Sequence, residues 1–363
     1  MVLPFLTVYL TSSLGYSVKS AGIIMSVFGI GSMLGSYLGG RFTDKFGPYQ
    51  VMMISLFAGG TSYFILPFIT DFYLLACGVF MCAVLNESLR PGNSSMVAHF
   101  AKPETFTRSF SLLRMAVNLG VSIGPAVAGL LAGISYKLLF VGDGVTNIIA
   151  GIVFVYFFSN KKPSPHHKAK EKSERSQSPY RDVPYLFFVL LCMFYAISFF
   201  QIFNGIPLYY KDVYFKPEQA IGLLLGLNGL IVFIFEMVTV NTIENKWRPA
   251  RLIVSGSIML SVSFFLYTIT HSNIILIISM ILMSFSEIFA MPFMVSHAVK
   301  RSKPETRGSY IAAYTIVWSL ALIISPSIST QIITHYNYET LWYVMSIFCL
   351  LTALGFAVVM KKQ

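Results

Sequence analysis

Long uncharged apolar stretches alternate with short polar breaks along this chain. Residues 20–40, 46–70, 115–136, 183–210, 308–338 and 340–360 carry no Asp, Glu, Lys or Arg. Each run has roughly the ~20 residues that cross ~30 Å of hydrocarbon as a helix. The run 252–286 is too long for one span and breaks at His271-Ser272-Asn273. Four further segments read as helices that carry ionisable groups: 72–99 with Glu87 and Arg90, 107–133 with Arg114, 137–158 with Asp143, and 218–242 with Glu236. The pattern predicts eleven full spans beginning near 20, 50, 72, 107, 137, 183, 218, 250, 273, 307 and 339. Residues 1–14 make a twelfth, first in the chain, which reaches only ~21 Å as a helix and is too short to cross.

Composition sharpens this picture. Of 363 residues, 55% are hydrophobic and 11% charged, against roughly 25% charged in a soluble domain. Such a chain cannot cover a water-facing surface, which excludes a soluble enzyme and a disordered or collagen-like chain. Cys77, Cys82, Cys192 and Cys349 lie inside apolar runs without ligand spacing, so neither disulfide nor metal is expected. Of the 26 Lys and Arg residues, 20 lie in the loops after even-numbered spans and at the C-terminus. The positive-inside rule puts those loops in the cytoplasm. The net charge of +11 is mostly this bias, so no nucleic-acid partner is implied.

Residues 159–182 are polar, Pro-containing and aromatic-poor, and read as a cytoplasmic linker between segments 1–158 and 183–363. The two segments repeat. At an offset of 201, Lys102-Pro103-Glu104-Thr105 matches Lys303-Pro304-Glu305-Thr306, Pro91 matches Pro292, and Pro125 matches Pro326. At an offset of 200, Gly22 matches Gly222, Gly29 matches Gly229, and Asp44 finds an acidic counterpart in Glu244. Parallel six-helix repeats occur in secondary transporters. Pro4 corresponds to Pro207, which 24 residues of helix precede, whereas three residues precede Pro4. About 20 residues of the first helix are therefore expected to be missing, through a misplaced start or a fragment.

Gly40-Arg41-Phe42-Thr43-Asp44-Lys45-Phe46-Gly47 resembles the loop motif of the major facilitator superfamily, G-x-x-x-D-[RK]-x-G, with Pro48-Tyr49 in place of the usual basic pair. Gly120-x-x-x-Gly124-Pro125-x-x-Ala128-Gly129 resembles the G-x-x-x-G-P-x-x-G-G motif of drug:proton antiporters in that superfamily, with Ala128 replacing one glycine. The arginine usual early in the fourth helix of that subgroup is absent, Val79 standing near its place. The resemblance covers the whole chain. It implies an all-α membrane protein with the twelve-helix facilitator fold: eleven full spans, a truncated first, and two six-helix bundles related by a pseudo-two-fold axis. It also implies that Asp44, with Gly40, Lys45 and Gly47, latches the cytoplasmic side near the start of the eleventh span, and that spans 2 and 11, and 5 and 8, meet across the halves.

Small residues repeat every four positions: Gly31, Gly35 and Gly39; Ser32, Ser36 and Gly40; Gly120, Gly124, Ala128 and Ala132; Gly222 and Gly226; Ala321, Ser325 and Ser329. Such stripes let helices approach closely in lipid and suit surfaces that part and re-form. Static packing of a fixed bundle is the plainer reading.

Ionisable residues at membrane depth are costly and are functional candidates. Glu87 sits in mid-span with Arg90 one turn on; Glu287 is its rough counterpart in the second half. A glutamate whose cationic partner comes and goes can bind and release a proton in each cycle, which makes Glu87, with Arg90 and Glu287, the proton-coupling candidates. A permanent Glu87–Arg90 pair is the alternative. Arg114 and Glu236 lie ~10 Å deep on spans expected to touch, and form a predicted inner-gate pair. Asn86, Gln201 and Asn204 could hydrogen-bond a substrate or tie helices together.

No catalytic set, metal cluster or cofactor motif appears in the sequence. Together the residues and the resemblance imply a monomeric inner-membrane (plasma-membrane) transporter that exports small amphipathic, drug-like molecules by alternating access. The proton gradient would drive it; its partners are substrate, protons and the bilayer. A nutrient symporter is the nearest alternative. A transport-inactive fragment or membrane-embedded interaction protein is the alternative from another class.

Overall fold

A computed structural model of the chain describes residues 2–101, 106–159, 179–243, 246–270, 272–302 and 306–361. Its helices are α1 Leu3–Val8, α2 Val18–Phe46, α3 Pro48–Ile65, α4 Phe72–Glu87, α5 Leu89–Phe100, α6 Phe106–Ile134, α7 Tyr136–Phe158, α8 Val183–Phe199, α9 Gly205–Asp212, α10 Glu218–Ile243, α11 Pro249–Leu266, α12 Asn273–Arg301, α13 Arg307–His335 and α14 Tyr338–Lys361. Among the described residues, eleven segments are long and apolar enough to cross a membrane, α4 with α5 and α8 with α9 each counting as one.

Local chemistry sets the helix ends. Ser17 accepts from the Ser20 amide at the start of α2, and Asp71 accepts from the amides of Tyr73 and Leu74 at the start of α4. Gly47 separates α2 from α3 in a single residue at φ +89°, a conformation open to glycine. This accounts for the last glycine of the loop motif without invoking function.

Two predicted spans are interrupted. The expected helix over 72–99 breaks at Ser88, because Pro91 offers no N–H to the carbonyl of Glu87 and its ring crowds that turn. Ser88 Oγ donates to the carbonyls of Val84 (2.7 Å) and Gly35 (3.1 Å), tying the break to α2. The expected helix over 183–210 breaks at Phe200–Phe203 for the same reason, four residues before Pro207. The α12 segment passes Pro292 without a break.

The repeat is visible in the elements themselves. The bounds of α3, of α4 with α5, and of α6 recur 201 residues later in α11, α12 and α13. The short α1, extended by a wider turn to Ser13, packs against α9 near the middle of the molecule. Phe5, Val8 and Leu10 are fully buried there. The Val2 amide donates to Asp143 Oδ2 at 2.7 Å in a buried setting.

At the linker end of the second half, Asp182 ties three helices together. Its side chain caps α8 and takes two bonds from Arg301 at 2.7 Å each. It also accepts from the Tyr310 hydroxyl at 3.0 Å. The Arg301 guanidinium, with Tyr310 and the Tyr185 amide, holds the Asp182 carboxyl below the usual carboxylate range. A lowered folded value means that the stabilisation is present above the ordinary pKa of ~3.9 and is lost as pH falls through the lowered one. Asp182→Asn is expected to cost about 1–3 kcal/mol at neutral pH, read as a lower melting temperature. That deficit should shrink as the pH is taken below 4. A deficit independent of pH would mean that the charge is not what the clamp uses.

Candidate functional site

The path between the halves is built where α2 meets α13 and α6 meets α10. Helices come close there because small residues face backbone. A Cβ added at Gly222 would stand 2.4 Å from the Pro125 carbonyl oxygen and 2.8 Å from Gly129 Cα. One added at Gly229 would stand 2.4 Å from Ser122 Cα, and one at Gly29 would stand 3.0 Å from Ile323 Cα. Ser26 Oγ donates to the Ile323 carbonyl at 2.7 Å and lies 2.9 Å from Ser327 Oγ. These contacts occupy the half of the membrane away from the linker. A polar knot closes that far end: the Tyr136 hydroxyl (2.7 Å) and Lys211 Nζ (2.6 Å) both reach Glu218 Oε1. Tyr136 belongs to the first half, Glu218 and Lys211 to the second.

The register differs from the expected one. Gly120 and Gly124 have no neighbour within 4 Å of a built Cβ, whereas Gly129 meets Gly222. Gly31, Gly35 and Gly39 face Phe80, Val84 and Ser88 within their own half. Ser325 bonds to the Ile197 carbonyl of α8 and Ser329 to Gln201 in the turn that follows it, both within the second half.

Toward mid-depth, each half holds two carboxylates on one cavity. In the first half Glu87 and Asp143 line a cavity of about 140 Å³ with Tyr63 and Cys82. Arg90 Nε lies 2.6 Å from Glu87 Oε2, with the arginine side chain 78% exposed and the glutamate 22%. In the second half Glu236 and Glu287 line a cavity of about 190 Å³ with Asn118, which belongs to α6 of the first half. Asn118 Nδ2 donates to Glu236 Oε2 at 2.7 Å, and Asn228 Nδ2 donates to Glu287 Oε2 at 3.4 Å. Glu87 and Glu287 thus sit in separate cavities. The Arg114 side chain lies outside the described residues, so the Arg114–Glu236 pair does too; the cross-half partner described for Glu236 is Asn118, one turn further along α6. Glu244 also lies outside them.

The uncharged candidates are engaged in packing. Asn86 Nδ2 donates to the Cys82 carbonyl at 2.8 Å, and Asn147 Nδ2 donates to Asn86 Oδ1 at 3.4 Å. Gln201 bonds to Ser325 and Ser329 of α13. Asn204 donates to the Phe200 carbonyl at 2.9 Å, and its buried Oδ1 accepts nothing among the described residues. Asp44 is exposed and bonds to no described residue. Three features went unforeseen. Asp143 was read as a span charge only, Asn118 was passed over beside Arg114, and the Tyr136–Glu218–Lys211 knot joins residues from three segments. Its one sequence signal was an acid at the first position of α10. Among the described residues, no group of His, Cys, Asp and Glu could hold a metal ion.

Two helical bundles that meet across helices long enough to span a membrane, with acids on cavities among them, have the architecture of a membrane transporter. The profile of the Major Facilitator Superfamily matches residues 1–326 and again 217–363, and the chain belongs to that family. It is 24% identical to the uncharacterized MFS-type transporter YqjV of Bacillus subtilis, over 98% of this chain and 87% of that one. It is 22% identical to a Na(+), Li(+), K(+)/H(+) antiporter of Planococcus maritimus, over 97% of this chain and 90% of that one. The quinolone resistance protein NorA of Staphylococcus aureus matches at 25% identity over 45% of this chain and 42% of its own. Among solved structures, a peptide transporter POT superposes with a TM-score of 0.82 at 18% identity, over 99% of this chain and 90% of that one. Nucleoside transporter NupG gives 0.81 at 14%, over 99% and 95%. These likenesses show the fold.

Proposed function

We propose that this transporter exports small, amphipathic, drug-like molecules across the inner (plasma) membrane in exchange for protons, as a monomer with its linker and C-terminus in the cytoplasm. The observation that carries the reading is the pair of carboxylates on a mid-depth cavity in each half. An acid at that depth needs a partner or a proton, and a rocking motion that exposes it to each side in turn makes it a carrier. A drug-like substrate is supported by the similarity to the quinolone resistance protein NorA over part of the chain. The halves touch closely at the far end while Asp44 stands exposed at the linker end. Both observations support reading this as a state open to the cytoplasm, in which the proposed Asp44 latch is not engaged. The gradient supplies the drive, and no cofactor is required.

A second reading, exchange of a monovalent cation for protons, is favoured by Glu236 and Glu287 sharing one cavity with Asn118, and by the similarity to the Planococcus antiporter. Purified protein in vesicles with an acid interior separates the two. Under the proposed function, an amphipathic cationic dye is taken up against its gradient and dissipates the pH difference, while sodium, lithium and potassium salts do not. Dissipation by the salts without dye accumulation replaces drug export with cation exchange. Dye or nutrient movement in the same direction as the proton makes the protein a symporter.

A further inference from the structure

A cavity of about 660 Å³ lies away from the path between the halves. It opens at the linker end of the second half, where α11, α12 and α14 come together. Its polar lining is Arg248, Arg251, His297 and Lys361, with Val254 and Met360 among its apolar walls and no carboxylate among its lining residues. The Phe188 ring packs on the His297 imidazole with centroids 4.4 Å apart, fixing that side chain at the inner wall. The cations are placed against the grain of the fold. Arg248 and Arg251 stand at the N-terminus of α11, which has no side-chain cap and no acid in its first turn. A helix N-terminus carries partial positive charge, so cations there raise its energy and an anion lowers it. The helix end, two guanidiniums and an ammonium thus add to one positive field with no described acid on the cavity to balance it.

We propose that this cavity holds the phosphate headgroup of an anionic phospholipid. Phosphate is the chemistry that planar guanidiniums grip in pairs. The lipid source is argued from position. The cations lie where α11 starts and α14 ends, at the membrane boundary, while Val254 and Ala357 continue the wall one turn deeper, where acyl chains run. Basic pockets between spanning helices on the positively flanked side bind such headgroups.

The test uses the full chain, purified in detergent, with thermal melting and intact-complex mass spectrometry as readouts. Phosphatidylglycerol is expected to remain bound and to raise the melting temperature. Phosphatidylcholine with the same chains should do neither. Arg248→Gln combined with Arg251→Gln should weaken phosphatidylglycerol binding roughly 25-fold, about fivefold for each basic residue near the headgroup. Lys300→Gln, at an exposed position on the same face but outside the cavity, should leave it unchanged. Melting of the lipid-free double variant checks that the fold is retained. Equal retention of phosphatidylcholine would overturn the proposal, as would equal effects of Lys300→Gln and the double variant. Stabilisation by inorganic phosphate to the same extent as by phosphatidylglycerol would make this a free-anion site and overturn the lipid assignment.

Discussion

Replacing Glu87 with glutamine is expected to abolish proton-driven transport, reducing it to the level of empty vesicles, while membrane insertion and the melting temperature stay close to wild type. The argument rests on what the side chain does not hold together. Its ion pair with Arg90 links neighbours on one interrupted helix, and the arginine is mostly exposed. Pairs of that kind contribute about 0–1 kcal/mol, too little to unfold a twelve-helix bundle. Glu87 lies on the cavity it shares with Asp143, Tyr63 and Cys82, and it ends α4 beside the Pro91 break, where the backbone is free to bend. A group so placed can change its surroundings as the half rocks, which a proton carrier requires. Arg90→Gln separates this role from a fixed structural pair. It leaves the carboxylate in place, so gradient-driven transport should persist, though altered in rate. Equal losses in both variants would assign the pair to structure. Full drive in Glu87→Gln would move the carrier to Asp143 or to the Glu236–Glu287 cavity.

The spans were readable in the sequence because the solvent dictates them: in hydrocarbon, every backbone group must bond within its own segment. The breaks at Ser88 and Phe200–Phe203 each lie about four residues before a proline, yet Pro125, Pro292 and Pro326 stand inside unbroken helices, so neither proline nor apolar length marks a break by itself. Which side of each helix faces which neighbour was not readable. Stripes of small residues mark close approach without saying to what. Gly31, Gly35 and Gly39 serve the packing of α2 on α4 and α5, while the contacts across the halves fall on Gly22, Ser26 and Gly29. The repeat itself carried the missing signal. Gly22 and Gly29 match Gly222 and Gly229 at an offset of 200, and their partners Thr330 and Ile323 match Gly129 and Ser122 at an offset of 201. Small residues that recur in both copies are the ones that lie on the interface related by the two-fold. In the same way Asp143, Asn118 and Glu218 acquire partners only when segments remote in sequence are brought together.

That symmetric interface yields the other large expected effect. Gly222→Leu should stop transport while both bundles stay folded. The atoms a side chain would meet at Gly222 are the Pro125 carbonyl and the Gly129 backbone. They belong to the other half and cannot rotate aside. Neither bundle needs this contact for its own core, so the strain falls on the state in which the far end is shut. Overpacking of about 1–3 kcal/mol confined to one state shifts the balance between states roughly 5- to 150-fold. The far end would then stay open. Gln219→Cys in a Cys77→Ser background reports this directly, because the Gln219 side chain occupies the space a Cβ at Gly133 would take. A membrane-impermeant thiol reagent added from the far side should label it slowly in the parent, and at least several-fold faster once Gly222→Leu is added. Gly120→Leu is the matched control: it lies on the same α6 in a motif position, but a Cβ there meets open space, so transport and labelling should stay near those of the parent. Equal damage at Gly120 and Gly222 would mean that close contact between the halves is not what these glycines provide.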